Sequence, residues 1–349
     1  MEHFGTWSIL TTNFLFVLYL ALGGIIFSSL LHLVNGKWRF QVRDLACAFS
    51  ALFPVAGVLL LILLANGEST FTWVGHEEPA HGAGGHGGLN GWHSYGFLVA
   101  RQVAGFLLVW WLCRLFVRYQ ALSAEPEASD AVKWRFRNIA LLIPFAYVIY
   151  GTLVAWDFEM TQVPGWHSAS YGAYFFQSNF HMFLGFFTVV LYLLHRSGRL
   201  AKGVEPYVFN YLAQFMLAMT ILWTYLYFTQ YLIMWYGRLP WDMGRYNHMM
   251  YEGLGVLWWT FLTLKFIIPF TTLAITPNRH NPPVIALVAG SIVVGTWIER
   301  YTWIAGSTDP EHYHLPFTSF LDLVYFAAVA GIAWYVAKRA LERQGLVRT

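Results

Sequence analysis

Apolar runs of about 20 or more residues recur from one end of this chain to the other, each long enough to cross the ~30 Å hydrocarbon core of a bilayer as a helix. Inside lipid the backbone must satisfy its own hydrogen bonds, so a chain built this way folds as membrane-spanning helices. Composition agrees. Charged residues make up 11% of the 349 and hydrophobic ones 57%, against roughly 25% charged in a soluble domain. The spacing predicts spans near 7–34, 44–65, 94–118, 138–157, 170–195, 206–236, 249–274, 283–304 and 317–340. The first run has no basic residue before it and no small-residue cleavage site after it, so it is expected to be retained as a span and not removed as a signal peptide.

The basic residues separate by side. The odd-numbered connections and the C-terminus hold fifteen of the 21 lysines and arginines, among them Lys37, Arg43, Lys133, Arg137, Arg196, Lys202 and Arg343; the opposite side holds Arg238 and Arg245. By the positive-inside rule the N-terminus is expected outside and the C-terminus in the cytoplasm. No segment between spans is long enough for a domain, so soluble chemistry would belong to other chains. The two cysteines, Cys47 and Cys113, lie far apart in apolar runs, which leaves no means of holding an iron–sulfur cluster or a structural zinc. His181 stands alone near mid-membrane, while His32 and His195 are near the inner ends, so a bis-histidine haem is not expected.

Ionisable residues within spans are costly and tend to mark ion or substrate paths. Most of those here fall toward one face: Arg101 in the third span, Asp157 at the end of the fourth, Glu252 at the start of the seventh, Glu299 and Arg300 in the eighth, and Asp322 early in the ninth. Each has a plainer reading. Glu299 and Arg300 can be an interfacial pair, Asp157 a helix anchor, and Lys265 a side chain that snorkels to the inner headgroups. Glu159 reads as a solvated neighbour of Asp157. His76, His81, His86 and His93 recur among glycines in one outer loop; they read as a flexible connector in preference to a copper or zinc site. In the sixth span Asn210, Gln214, Thr220, Thr224, Tyr227 and Tyr231 follow one helical face, suited either to binding neighbouring helices or to holding water.

Three stretches carry a resemblance. "WDFEMTQVPGWHSASYGAYFF" brings Asp157, Met160, Pro164, Trp166, Ser168, Gly172, Tyr174, Phe175 and Phe176; "YFTQYLIMWYG" brings Gln230, Tyr231, Trp235 and Tyr236; "GTWIERYTWI" brings Trp297, Glu299 and Arg300. Together with Asp322 these resemble the large membrane subunits of bacterial alternative complex III, within the polysulfide-reductase (NrfD-like) superfamily, over about residues 95–330. The pattern departs at Gly165, where the family carries a histidine and this chain places His167 two positions on. It departs also in showing nine spans where ten are expected.

The resemblance implies an all-α integral membrane protein with two four-helix bundles, residues 41–200 and 201–349, and a peripheral N-terminal helix within residues 1–40. It implies a subunit of a respiratory quinol:acceptor oxidoreductase in the bacterial cytoplasmic membrane. The cofactor would be a quinol, menaquinol or ubiquinol. The partners would be a peripheral iron–sulfur or molybdopterin-type subunit on the outer face, a homologous membrane subunit and c-type cytochromes; no nucleic acid is expected. Asp157 and His181 are the candidates to accept protons from a quinol held by Arg101, Trp166 and His167. Glu252, Lys265, Glu299, Arg300 and Asp322 are the candidates for a proton path. The alternatives are a proton-conducting or scaffolding subunit without a quinone site and, less favoured, an independent transporter.

Overall fold

The computed structural model describes residues 4–74, 92, 94–163, 165–308 and 313–348. Among them there is no strand, and nine helices are long and apolar enough to cross a membrane, the build of a multi-pass membrane protein. The first span is α1 (Phe4–Leu33). The second is α2 (Arg39–Ala48), a 3₁₀ turn (Phe49–Leu52) and α3 (Phe53–Ala65), followed by a single turn, α4 (Gly67–Thr70). The third is α5 (Tyr95–Ser123). The fourth is α6 (Asp130–Ala155), ended by a π-turn (Trp156–Met160). Then come α7 (Tyr171–Arg196) and α8 (Pro206–Tyr236). A short helix outside the spans, α9 (Pro240–Tyr251), leads into the seventh: α10 (Gly255–Leu262), a second π-turn (Thr263–Ile267) and α11 (Ile268–Leu273). The last two spans are α12 (Pro282–Ala305) and α13 (Phe320–Arg343).

The π-turn in the seventh span has a local cause. Pro269 brings no N–H to the ladder, and its ring would press on the carbonyl four residues back, that of Lys265. Widening the turn at 263–267 relieves both problems.

The N-terminal helix is not peripheral. Its most apolar window is 89% buried, more than that of any other span, and it packs on α2, α3, α6, α7, α12 and α13. Small residues allow this approach. A Cβ on Gly24 would lie 1.9 Å from the carbonyl oxygen of Ala46 in α2, and one on Gly23 would lie 2.2 Å from the Phe183 ring in α7. An apolar run all round a helix suits protein neighbours as well as it suits lipid, which is why the sequence misleads here.

Helix neighbours also cross the division at residue 200. The most extensive helix pair is α7 with α12, and α8, α10 and α11 complete a group around them; α13 lies on α1 and the 3₁₀ turn. Helix α7 is therefore the common wall between α1 with α6 on one side and α8 with α12 on the other, and the buried charges collect along it.

Candidate functional site

Along α7 the residues Tyr171, Tyr174, Ser178 and His181 follow one another at three- and four-residue steps, so they share one face of the helix. All four are buried. Opposite them α12 presents Glu299 and Arg300, and the π-turn of the seventh span presents Lys265; all three side chains are 0% exposed. From the fourth span comes Glu159, also at 0%.

All of these groups except His181 form one continuous chain. Arg300 donates to Glu159 Oε2 at 2.6 Å, and Tyr171 donates to the same oxygen at 2.6 Å. The guanidinium then meets Glu299 Oε1 at 3.2 Å. Lys265 pairs with Glu299 Oε2 and donates to Ser178 Oγ at 2.6 Å, while Ser178 donates on to Glu299 at 2.7 Å. Tyr174 and Trp223 both donate to Glu299 Oε1, Trp223 at 2.9 Å. Rings of Phe175 and Trp223 cover the two cations, 4.8 Å from the Arg300 guanidinium and 4.7 Å from Lys265 Nζ.

Two carboxylates and two cations balance in sign. Removing any one leaves a charge buried without a partner, at a cost of about 3–5 kcal/mol. The site is also chemically active in kind, because carboxylates, phenols, a hydroxyl and an amine at hydrogen-bond separation can pass a proton between them. His181, one turn beyond Ser178, meets Thr220 of α8, with Nε2 3.2 Å from Oγ1. The Thr220 proton serves Met216 O at 2.9 Å, so the hydroxyl oxygen accepts from the ring.

Residues two apart on a helix point to nearly opposite sides, and Asp157 accordingly faces α5 and not the chain just described. Arg101 holds it from two nitrogens, Nε to Oδ2 at 2.9 Å and NH2 to Oδ1 at 2.5 Å, and Gln102 Nε2 donates at 2.5 Å. The same guanidinium lies over the Trp92 ring at 4.2 Å. The structure thus joins Arg101 to Asp157 but sets His181 elsewhere, with Thr220.

Several sequence readings are corrected. Glu159 is not a solvated neighbour, Lys265 does not snorkel, and Glu299 with Arg300 is no interfacial pair, since all four are fully buried. Glu252 lies off the chain, half-exposed at the end of α9 and 2.8 Å from His248 Nδ1. Asp322 caps α13 through the Ser319 backbone and accepts from His314 at 2.8 Å; it serves a helix end. His167 is exposed. Trp166 is buried and donates to Asp242 O at 3.1 Å. In the sixth span the polar face divides: Thr220 and Tyr227 point inward, while Gln214 is exposed and joins Asn210 at 3.2 Å. His76, His81, His86, His93 and Pro164 lie outside the described residues, among which no group of three metal-ligating side chains occurs.

The sequence reading passed over Tyr171, Ser178 and Arg245. The first two were visible as part of the polar stripe on the fifth span. Arg245 belongs to α9, outside the spans, where burial lowers its guanidinium from the ordinary value and raises the Tyr246 phenol.

A groove of about 1300 Å³ opens between α13 and the core, walled by α1, α7, α12 and α13 and almost wholly apolar. Asn13 lines it at 4% exposed, with Oδ1 accepting from Trp297 at 2.9 Å and Nδ2 making no hydrogen bond.

The stretches that carry the resemblance meet in space. Ser168 donates to Gln230 at 2.9 Å, Trp166 packs on Trp303 with ring centres 5.6 Å apart, and Tyr174 reaches Glu299. No family model matches the chain, and no curated protein matches it.

Proposed function

We propose that the chain is a proton-conducting membrane subunit of a quinone-linked oxidoreductase complex, of the kind its motifs resemble. The observation that carries this is the buried chain Glu159–Arg300–Glu299–Lys265, with Tyr171 donating to Glu159, Tyr174 donating to Glu299, and Ser178 between Lys265 and Glu299. A scaffold gains little from four ionised groups in a dry interior, where an apolar core of the same volume is often as stable or more so. Electrons from quinol would leave to a cluster or haem on a partner, with the N-terminus on the outer side of a bacterial cytoplasmic membrane. In the assembled complex in vesicles, Glu159→Gln is expected to lower the number of protons translocated per electron while electron transfer continues. An unchanged proton count would remove Glu159, and the path through it, from the reading.

A second reading has quinol bind this chain itself, and the groove favours it. A long apolar ligand with a hydroxyl oxygen able to accept a hydrogen bond suits a cavity with the Asn13 Nδ2 donor at its wall, and the volume exceeds the ~300–1,000 Å³ of an ordinary small-molecule site. Asn13→Leu is expected to raise the quinol KM about two- to tenfold, the worth of one hydrogen bond, with the proton count per electron unaltered. An unchanged KM would take the quinol out of this groove.

A further inference from the structure

Arg245 of α9 is a buried cation, 5% exposed, and none of its hydrogen bonds goes to a carboxylate. Its partners are main-chain oxygens and one hydroxyl. NH2 donates to Glu159 O at 2.9 Å, Trp303 O at 3.0 Å and Ser307 Oγ at 3.0 Å, and NH1 donates to Met160 O at 3.3 Å. The Trp166 and Trp303 rings flank it, with centres 4.6 and 5.0 Å from the guanidinium carbon.

These carbonyls belong to the ends of two helices. Met160 closes the π-turn of the fourth span, and Trp303 lies in the last turn of α12, which stops at Ala305. The last carbonyls of a helix lack intrahelical donors and carry the negative end of its dipole. In the fourth span the shortage is built in, because the residue four beyond Met160 is Pro164, which has no N–H to offer. One guanidinium thus caps two converging C-termini, and they offset its charge together with the Glu159 carboxylate nearby. It also ties the turn that carries Glu159 to the helix that carries Arg300.

We propose that Arg245 is a positioning residue for the Glu159 carboxylate: by clamping the π-turn to α12 it fixes that carboxylate against Arg300 and Tyr171. The geometric statement stands on the contacts above; its consequence for proton transfer rests on the proton-path reading. Lysine at this position would keep the charge and lose the fork that reaches several oxygens at once.

The test uses the assembled complex and infrared difference spectroscopy, with the Glu159 carboxyl band identified by its loss in Glu159→Gln. In Arg245→Gln that band is expected to shift and broaden, and proton translocation to fall on the order of 10–100-fold, the scale of an ångström's misplacement. Arg245→Lys should recover part of both. A Glu159 band unchanged in Arg245→Gln overturns the proposal. Should that variant fail to assemble, Arg245→Lys decides, and a wild-type band there overturns it equally. A displaced band with normal proton translocation upholds the clamp and removes only the proton-path reading.

Discussion

Glu299→Gln is expected to reduce proton translocation by about 10²–10⁴-fold, the usual weight of a positioned acid–base group, and to destabilise the protein by about 3–5 kcal/mol. Glu299 meets Lys265, Ser178, Tyr174, Trp223 and Arg300, so an amide there leaves the Lys265 ammonium without an opposite charge in a site closed to water. The two effects separate in a double variant. Glu299→Gln with Lys265→Met removes one charge of each sign and leaves Glu159 with Arg300, so stability should return while translocation does not. Thermal unfolding in detergent and proton counting in vesicles read the two quantities. A double variant that regains translocation would mean that protons travel by another route.

Asp157→Asn is expected to act on stability first. Arg101 is 7% exposed and holds both carboxylate oxygens; with an amide opposite, it keeps Trp92 O and the faces of Trp92 and Phe97 but loses its counter-charge. The cost is about 3–5 kcal/mol, as for any broken buried pair, visible as a lower unfolding midpoint and a lower yield of assembled complex. Asp157→Asn with Arg101→Gln should recover most of it. An unchanged unfolding midpoint together with lost quinol turnover would return Asp157 to the role of proton acceptor that the family resemblance implies.

These expectations mark how far the sequence could be read. Nine spans were legible because each apolar run answers to the bilayer alone. The positions of Asp157, Glu299 and Arg300 were legible as expensive groups in apolar surroundings. Their partners were not, because Arg101 is 56 residues from Asp157 and Arg300 is 141 from Glu159, and nothing along the chain reports that such groups meet. Glu159 was discounted since a residue at a span end can face water or protein with the same local pattern. Lys265 was misread for a related reason: a long side chain can reach headgroups unless a carboxylate is already beside it. Arg245 is the hardest case. Its partners are mainly backbone carbonyls, and a carbonyl has no letter in the sequence.

The central place of α1 has a consequence for how the protein is made. Helix α1 packs against α12 and α13, which are synthesised long after it. Until they arrive, Asn13 lacks Trp297 as its donor and α1 must persist in the bilayer with lipid where its protein neighbours will be. Many stabilising contacts then join residues nearly 300 positions apart, 284 in the case of Asn13 and Trp297. Maturation of such a topology is expected to be slow and to wait for α12 and α13, leaving a long interval in which insertion factors can occupy the uncovered flank of α1.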